Sequence, residues 1–170
     1  SGLSAEDQRS VIGAGFWGKK IVHEYLQLNK SNSLFGLHAI CDLRDDNLKY
    51  CENYGIPCLT RQSEEVTSSP DIDAVNICTP NETHYQICRE ALEAGKHVLV
   101  EKPMTLSSAE AYELVELARK RNLVLSVGHI FRFNNALRMT RNLINNGFFG
   151  NLFYLKLDWT TLTPPYEGRD

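Results

Sequence analysis

The spacing of apolar residues along this chain changes several times, and each change marks an element. Val11-Ile12 is a short β-branched run. Behind Gly18, Ile21, Val22, Tyr25 and Leu26 recur at helical spacing while Lys19, Lys20 and Glu24 take the other faces, which predicts a helix that Asn29 to Ser33 ends. Ser1 to Gln8 is polar and predicts no element. Arg9 and Ser10 stand where a buried parallel strand reads as continuous hydrophobic sequence, so the first strand is expected to be thin. Leu34 to Cys41 predicts a second, buried strand closing at Asp42. Asp46 to Tyr54 predicts a short helix with Gly55 as its C-terminal cap, Pro57 to Leu59 a brief strand, and Ser63 to Ser69 a polar connection.

Asp71 to Cys78 predicts another buried strand, followed by the turn Thr79-Pro80-Asn81. Asn81 suits the N-cap of a helix whose stripe is Ile87, Cys88, Ala91 and Leu92 and whose end is Gly95. His97 to Val100 is the next strand. Ser107 to Glu110 has the form of a capping box, Ala111, Leu114, Val115 and Ala118 form the stripe behind it, and Glu116 with Lys120 makes an i,i+4 pair. Leu123 to Val127 closes the series. Strand and helix alternate throughout, which predicts an α/β fold with a doubly wound parallel sheet. A helix is expected over Ala136 to Ile144. The period then drops to two, with Phe153, Leu155, Leu157 and Trp159 alternating with Tyr154, Lys156, Asp158 and Thr160. That pattern predicts a strand with one buried face, the first of a second, α+β domain.

Hydrophobic residues make up 42% of the 170 and charged residues 23%, ordinary for a globular chain and unlike a disordered or fibrous one. The net charge is −3 and no stripe of Lys and Arg is present, so nucleic acid is not an expected partner. Cys41, Cys51, Cys58, Cys78 and Cys88 lack the CxxC or His–Cys spacing of a zinc site. They are expected to be free thiols, which favours a reducing cytoplasm, and no metal is expected. No window approaches the roughly 18 apolar residues of a membrane span, so no membrane partner is expected.

The candidate chemistry begins at Gly13-Ala14-Gly15-Phe16-Trp17-Gly18, a GxGxxG run between the first strand and the first helix. Gly13 suits a tight turn, Gly15 a close approach of backbone to a pyrophosphate, and Gly18 close packing of helix on strand. The helix start would aim its N–H groups and positive dipole end at the phosphates. Phe16 and Trp17, inside the loop, count with the cofactor-binding residues. Asp42, at the end of the second strand, suits the adenosine ribose hydroxyls and repels a 2′-phosphate, which favours NAD; a solvated turn aspartate is the plain alternative. Arg44 either pairs with a 2′-phosphate or covers the adenine, which keeps NADP as a second cofactor. Gly13, Asp42, Thr79, Glu101, Lys102 and His129 all fall at carboxyl ends of predicted strands, where open α/β sheets bind ligands. The expected division is residues 9–130 for the dinucleotide-binding domain and 131–170 for a linker helix and the start of the second domain.

Four segments in order resemble the glucose-fructose oxidoreductase/inositol dehydrogenase family (Gfo/Idh/MocA). They are Gly13 to Gly18, Cys78-Thr79-Pro80-Asn81 with His84, Gly95-Lys96-His97-Val98-Leu99-Val100-Glu101-Lys102-Pro103, and Gly128-His129-Ile130-Phe131-Arg132-Phe133-Asn134. The last is most similar to the branch that oxidises nucleotide-linked amino sugars, such as UDP-N-acetylhexosamine 3-dehydrogenases. The resemblance implies a Rossmann domain followed by a largely antiparallel sheet domain that shapes the substrate site and a homo-oligomer interface. It implies hydride transfer between a sugar or nucleotide-sugar hydroxyl carbon and nicotinamide, with Lys102 moving the hydroxyl proton. It further implies a cis Pro103 that aims Lys102, with Glu101 orienting the site or meeting the nicotinamide ribose. Thr79, Pro80 and Asn81 would line the nicotinamide half of the cleft, Asn81 also serving as a helix cap. His84 has a cofactor role or is an exposed first-turn residue. His129 and Arg132 face substrate or brace the domain junction. A catalytic Asp and His are expected from a DxGxHxxD segment beginning beyond Glu167-Gly168-Arg169-Asp170. Asn135 departs from the family, where proline is frequent at that place. A function of another class stands beside the dehydrogenase, namely a non-catalytic module that binds or senses NAD(P).

Overall fold

The structure is a computed structural model that describes residues 7–32, 36–158 and 160. Among these, six parallel strands form one sheet: β1 Gln8–Ile12, β2 Gly36–Cys41, β3 Cys58–Thr60, β4 Ala74–Ile77, β5 His97–Val100 and β6 Leu125–Val127. Their order across the sheet is β3-β2-β1-β4-β5-β6. Every crossover carries a helix: α1 Phe16–Asn32, α2 Asp45–Cys51, α3 Ser63–Thr67, α4 His84–Glu93 and α5 Ser108–Lys120. The winding reverses between β1 and β4, the switch point at which such sheets open a ligand crevice.

Successive strand residues face opposite sides of the sheet. Val11 and Ile40 join Val22 of α1 and Cys51 of α2 in one core cluster, whereas Ile12 and Cys41 join Val66, Cys88 and Leu114 of α3, α4 and α5 in another. Helices therefore cover both faces, as a doubly wound sheet requires.

Several expectations are corrected. The first strand is not thin: β1 has five residues, and Arg9 and Ser10 are buried within it. Arg9 Nη1 donates to the Asp7 carbonyl at 3.0 Å, so backbone answers a polar group where apolar sequence is the rule. The polar connection at Ser63 is the short helix α3, anchored by buried Val66 and by Thr60 Oγ1 donating to Glu65 Oε2 at 2.5 Å. Ser107 takes the N-cap position of α5 without a side-chain cap bond, so the capping box is not closed. Glu116 pairs with Arg119 at 2.8 Å instead of Lys120, since the i,i+3 neighbour lies on the same face.

The described residues form two compact units that divide between His129 and Ile130. In the second, a 3₁₀ turn over Ile130–Phe133 leads into α6, Asn135–Asn145, whose N-cap Asn134 accepts from Leu137 N at 3.2 Å. The strand expected from Phe153 is not formed among the described residues: none of 152–158 is in a strand, and Phe153 is 93% exposed. A lone strand has no partner for its ladder bonds and nothing to cover its apolar face. Trp159 lies outside the described residues.

No helix among the described residues is long and apolar enough to cross a membrane, and they contain no His/Cys/Asp/Glu cluster fit for a metal ion. All five cysteines are free. Burial pushes the Cys41, Cys78 and Cys88 thiols up to about 12, so they stay protonated.

Candidate functional site

The sheet ladder runs one residue beyond the carboxyl ends of the strands. Asp42 N donates to Thr60 O at 3.1 Å, Gly13 N to Cys41 O and Cys78 N to Ile12 O at 2.8 Å, Glu101 N to Ile77 O at 2.9 Å, and Gly128 N to Val100 O at 2.8 Å. Residues from five chain segments thereby stand in one row, each backbone fixed by its neighbour. The glycine loop, Asp42, the Thr79 turn, Glu101-Lys102 and His129 all spring from this row, as the sequence predicts.

In the fingerprint, Gly13 has φ +93°, and a Cβ there would lie 2.7 Å from the backbone of Cys78. A Cβ on Gly18 would overlap the Gly13 carbonyl oxygen. Gly15 differs: a Cβ would meet nothing within 4 Å. The loop is closed at both ends and open in the middle, the shape that lets a pyrophosphate come up to main chain at the start of α1. Asp42 Oδ2 accepts from Ala14 N at 2.7 Å and Oδ1 from Arg44 N at 2.8 Å. Each oxygen retains a lone pair for a ribose hydroxyl. Phe16 and Trp17 are exposed, meet edge to face with ring centroids 5.6 Å apart, and lie under Lys20 Nζ at 4.2 and 4.6 Å. Arg44 is exposed at the N-cap of α2. The residues present fit a dinucleotide.

Residues 9–129 match an oxidoreductase family with an NAD-binding Rossmann fold. The chain belongs to this family. It is 42% identical over 156 residues to an uncharacterized oxidoreductase of Synechocystis sp., covering 88% of this chain and 40% of that one. It is 33% identical over 132 residues to the UDP-N-acetylglucosamine 3-dehydrogenase of Acidithiobacillus ferrooxidans, covering 77% and 39%. The crystal structure of scyllo-inositol dehydrogenase from Lactobacillus casei, with bound NAD(H) and scyllo-inositol, matches with a TM-score of 0.74 at 25% identity, over 85% of this chain and 42% of that one. The chain thus spans about two fifths of the length of these relatives.

Within this family member, the turn after β4 leaves Thr79 half-buried and Pro80 and Asn81 exposed. Asn81 does not cap α4. It opens a 3₁₀ turn, Asn81–Thr83, and neither turn nor helix has a side-chain cap bond. Thr83 takes over the local bonding, its Oγ1 lying 2.7 Å from both Thr79 Oγ1 and the Pro80 carbonyl oxygen. His84 is not an exposed first-turn residue. Its ring is fully buried with Nε2 2.9 Å from Thr79 O and Nδ1 2.7 Å from Pro103 O, so neither nitrogen is left for direct contact with a cofactor.

After β5, Glu101 is half-buried against Gly128, where a Cβ would meet Glu101 Oε1 at 3.0 Å. Lys102 is exposed, and the Lys102–Pro103 peptide is cis, in line with the family resemblance. His129 is exposed and its N donates to Val127 O at 2.7 Å. Arg132 belongs to the second unit, where with Phe133, Arg138 and Arg141 it lines an open cavity of about 490 Å³. Sequence reasoning misses Gly128 and Thr83 as parts of the site. The signal for Gly128 is a glycine directly after a strand end; for Thr83 it is a hydroxyl inside a turn that the asparagine leaves uncapped.

Proposed function

We propose that this chain is the cofactor-binding part of an NAD-dependent dehydrogenase that oxidises a hydroxyl of a sugar or nucleotide-linked sugar. The observation that carries this reading is the place of Lys102. It follows Glu101, whose N–H is bonded to β4 at Ile77 O, and so stands at the carboxyl end of β5, beside the Thr79 turn and one strand from the switch point. In this reading Gly13, Gly15, Phe16, Trp17 and Gly18 hold the pyrophosphate, Asp42 and Arg44 the adenosine end, and Thr79, Pro80, Asn81 and Glu101 the nicotinamide end. When bound, the dinucleotide supplies a hydride acceptor that carries positive charge. The Lys102 amine takes the proton of the substrate hydroxyl. Glu101, lodged against Gly128, orients that end of the site. His129 serves the substrate side.

Similarity to a UDP-N-acetylglucosamine 3-dehydrogenase supports a nucleotide-linked sugar, and the inositol dehydrogenase supports a ring hydroxyl as the reacting group. A homo-oligomer built through the second domain and a cytoplasmic location belong to the same proposal. In the full-length protein Lys102→Ala is expected to lower kcat by about 10²- to 10⁴-fold, the usual share of acid–base catalysis, while the NADH dissociation constant stays within about twofold. Turnover preserved in that variant would overturn the reading.

A further inference from the structure

His84 is buried at the base of the nicotinamide side of the row, yet it is given no task by the cofactor residues described so far. Its two ring nitrogens address the carbonyl oxygens of Thr79, at 2.9 Å, and Pro103, at 2.7 Å. A carbonyl only accepts, so a ring N–H donates to it. The ring is 0% exposed and lies wedged between the two turns. The two carbonyls belong to different turns. Thr79 follows β4, and Pro103 follows β5 directly behind Lys102. Beyond Glu101 the ladder has stopped, and the turn is held by Met104 packed against the core and by His84 at the Pro103 carbonyl.

We infer that His84 is a positioning residue: a buried ring whose nitrogens lie against one carbonyl of the Thr79 turn and one of the Lys102-Pro103 turn, and so set where Lys102 stands relative to the cofactor cleft. The inference rests on the proton-transfer role proposed for Lys102. It replaces direct contact between His84 and cofactor with an indirect action through two backbone carbonyls. A glutamine at this place carries hydrogen on only one nitrogen and can serve one carbonyl well. A phenylalanine fills the space and serves neither.

The tie itself is read by nitrogen NMR of the isotopically labelled chain at neutral pH. A hydrogen-bond coupling from a His84 ring N–H to the carbonyl of Thr79 or of Pro103 is expected. A ring with a coupling to neither overturns the inference. Its consequence is read in the full-length protein. His84→Gln is expected to lower kcat by about 10- to 100-fold, the scale of a misplacement near 1 Å, with the KM for NAD changed less than about threefold. An unchanged kcat, or a loss confined to the KM for NAD, would overturn it, because a ring that only stabilised the fold or only touched cofactor would give those results. His84→Phe should lose more rate than His84→Gln; if it does not fold, the spectrum of the unsubstituted chain and the glutamine variant still decide. Should Lys102→Ala keep its turnover while the His84 coupling is seen, the lysine assignment falls and the tie between the turns remains, so the two failures are distinct.

Discussion

Asp42 carries structure and recognition in one carboxylate. It holds the glycine loop through Ala14 N at 2.7 Å and the start of α2 through Arg44 N at 2.8 Å. Hydrogen bonds to a charged group contribute about 1.5–3 kcal/mol, or roughly 10- to 100-fold in affinity. Asp42→Asn exchanges the charge for an amide whose NH2 would face one of the two backbone donors while its oxygen keeps the other. The expected result is an NADH dissociation constant raised about 10- to 100-fold, with NADPH gaining relative to NADH as repulsion of a 2′-phosphate disappears. Calorimetric titration of both variants with both cofactors checks this. Much tighter NADPH than NADH binding by the unsubstituted chain would make Arg44 the determinant instead. Asp42 was legible in the sequence because a glycine fingerprint and a strand end together fix its place. His84 is singled out by the sequence, but its buried setting is not legible there. Its partners are main-chain carbonyls, and no pattern of side chains announces which carbonyls fold up against a ring. The Glu101–Gly128 contact is hidden for a related reason, since it joins the ends of two strands whose pairing only the sheet reveals.

At the level of elements, the strand–helix alternation is legible because buried parallel strands are short apolar runs and the helices carry stripes. Reading fails where a polar residue is buried by courtesy of backbone. Arg9 in β1 is one case. The short α3 escapes for another reason, being held by a single buried Val66 and the Thr60–Glu65 side-chain bond rather than by an apolar stripe. Lys96 is the strongest case of a polar residue so buried. It sits between α4 and β5, only 7% exposed, and its Nζ donates to Ser69 O at 2.5 Å and to Ile72 O at 2.6 Å. Burial draws its ammonium below the ordinary lysine value. The two carbonyls precede β4, at the amino ends of the strands and away from the candidate site. Lys96→Met keeps the apolar stem and leaves both carbonyls without this donor. A loss of about 1–3 kcal/mol is expected, with a Tm lower by several degrees in thermal unfolding and an NADH affinity that does not change. A fall in affinity without a fall in Tm would contradict this division between the two ends of the sheet.

For the molecule as a whole, the second unit is the exposed part. Phe148, Phe149, Phe153, Leu155 and Leu157 all present apolar surface to solvent. Exposed apolar side chains in such number mark a place for another surface to cover. The chain of 170 residues is therefore expected to self-associate, with a sedimentation coefficient that rises with concentration. The double substitution Phe153→Ser and Leu157→Ser should reduce the association. A concentration-independent monomer before substitution would refute it. The close seat of Gly13 against Cys78 has a consequence for redesign. In the proposed function Arg44 meets the adenosine end from an exposed position, so cofactor preference can be changed at that side chain alone. The pyrophosphate end offers no such freedom, because any side chain at position 13 would need a new path for residues 78 and 79. The cofactor cradle is therefore a single transplantable part, to be moved into another protein together with the turn after β4 or not at all.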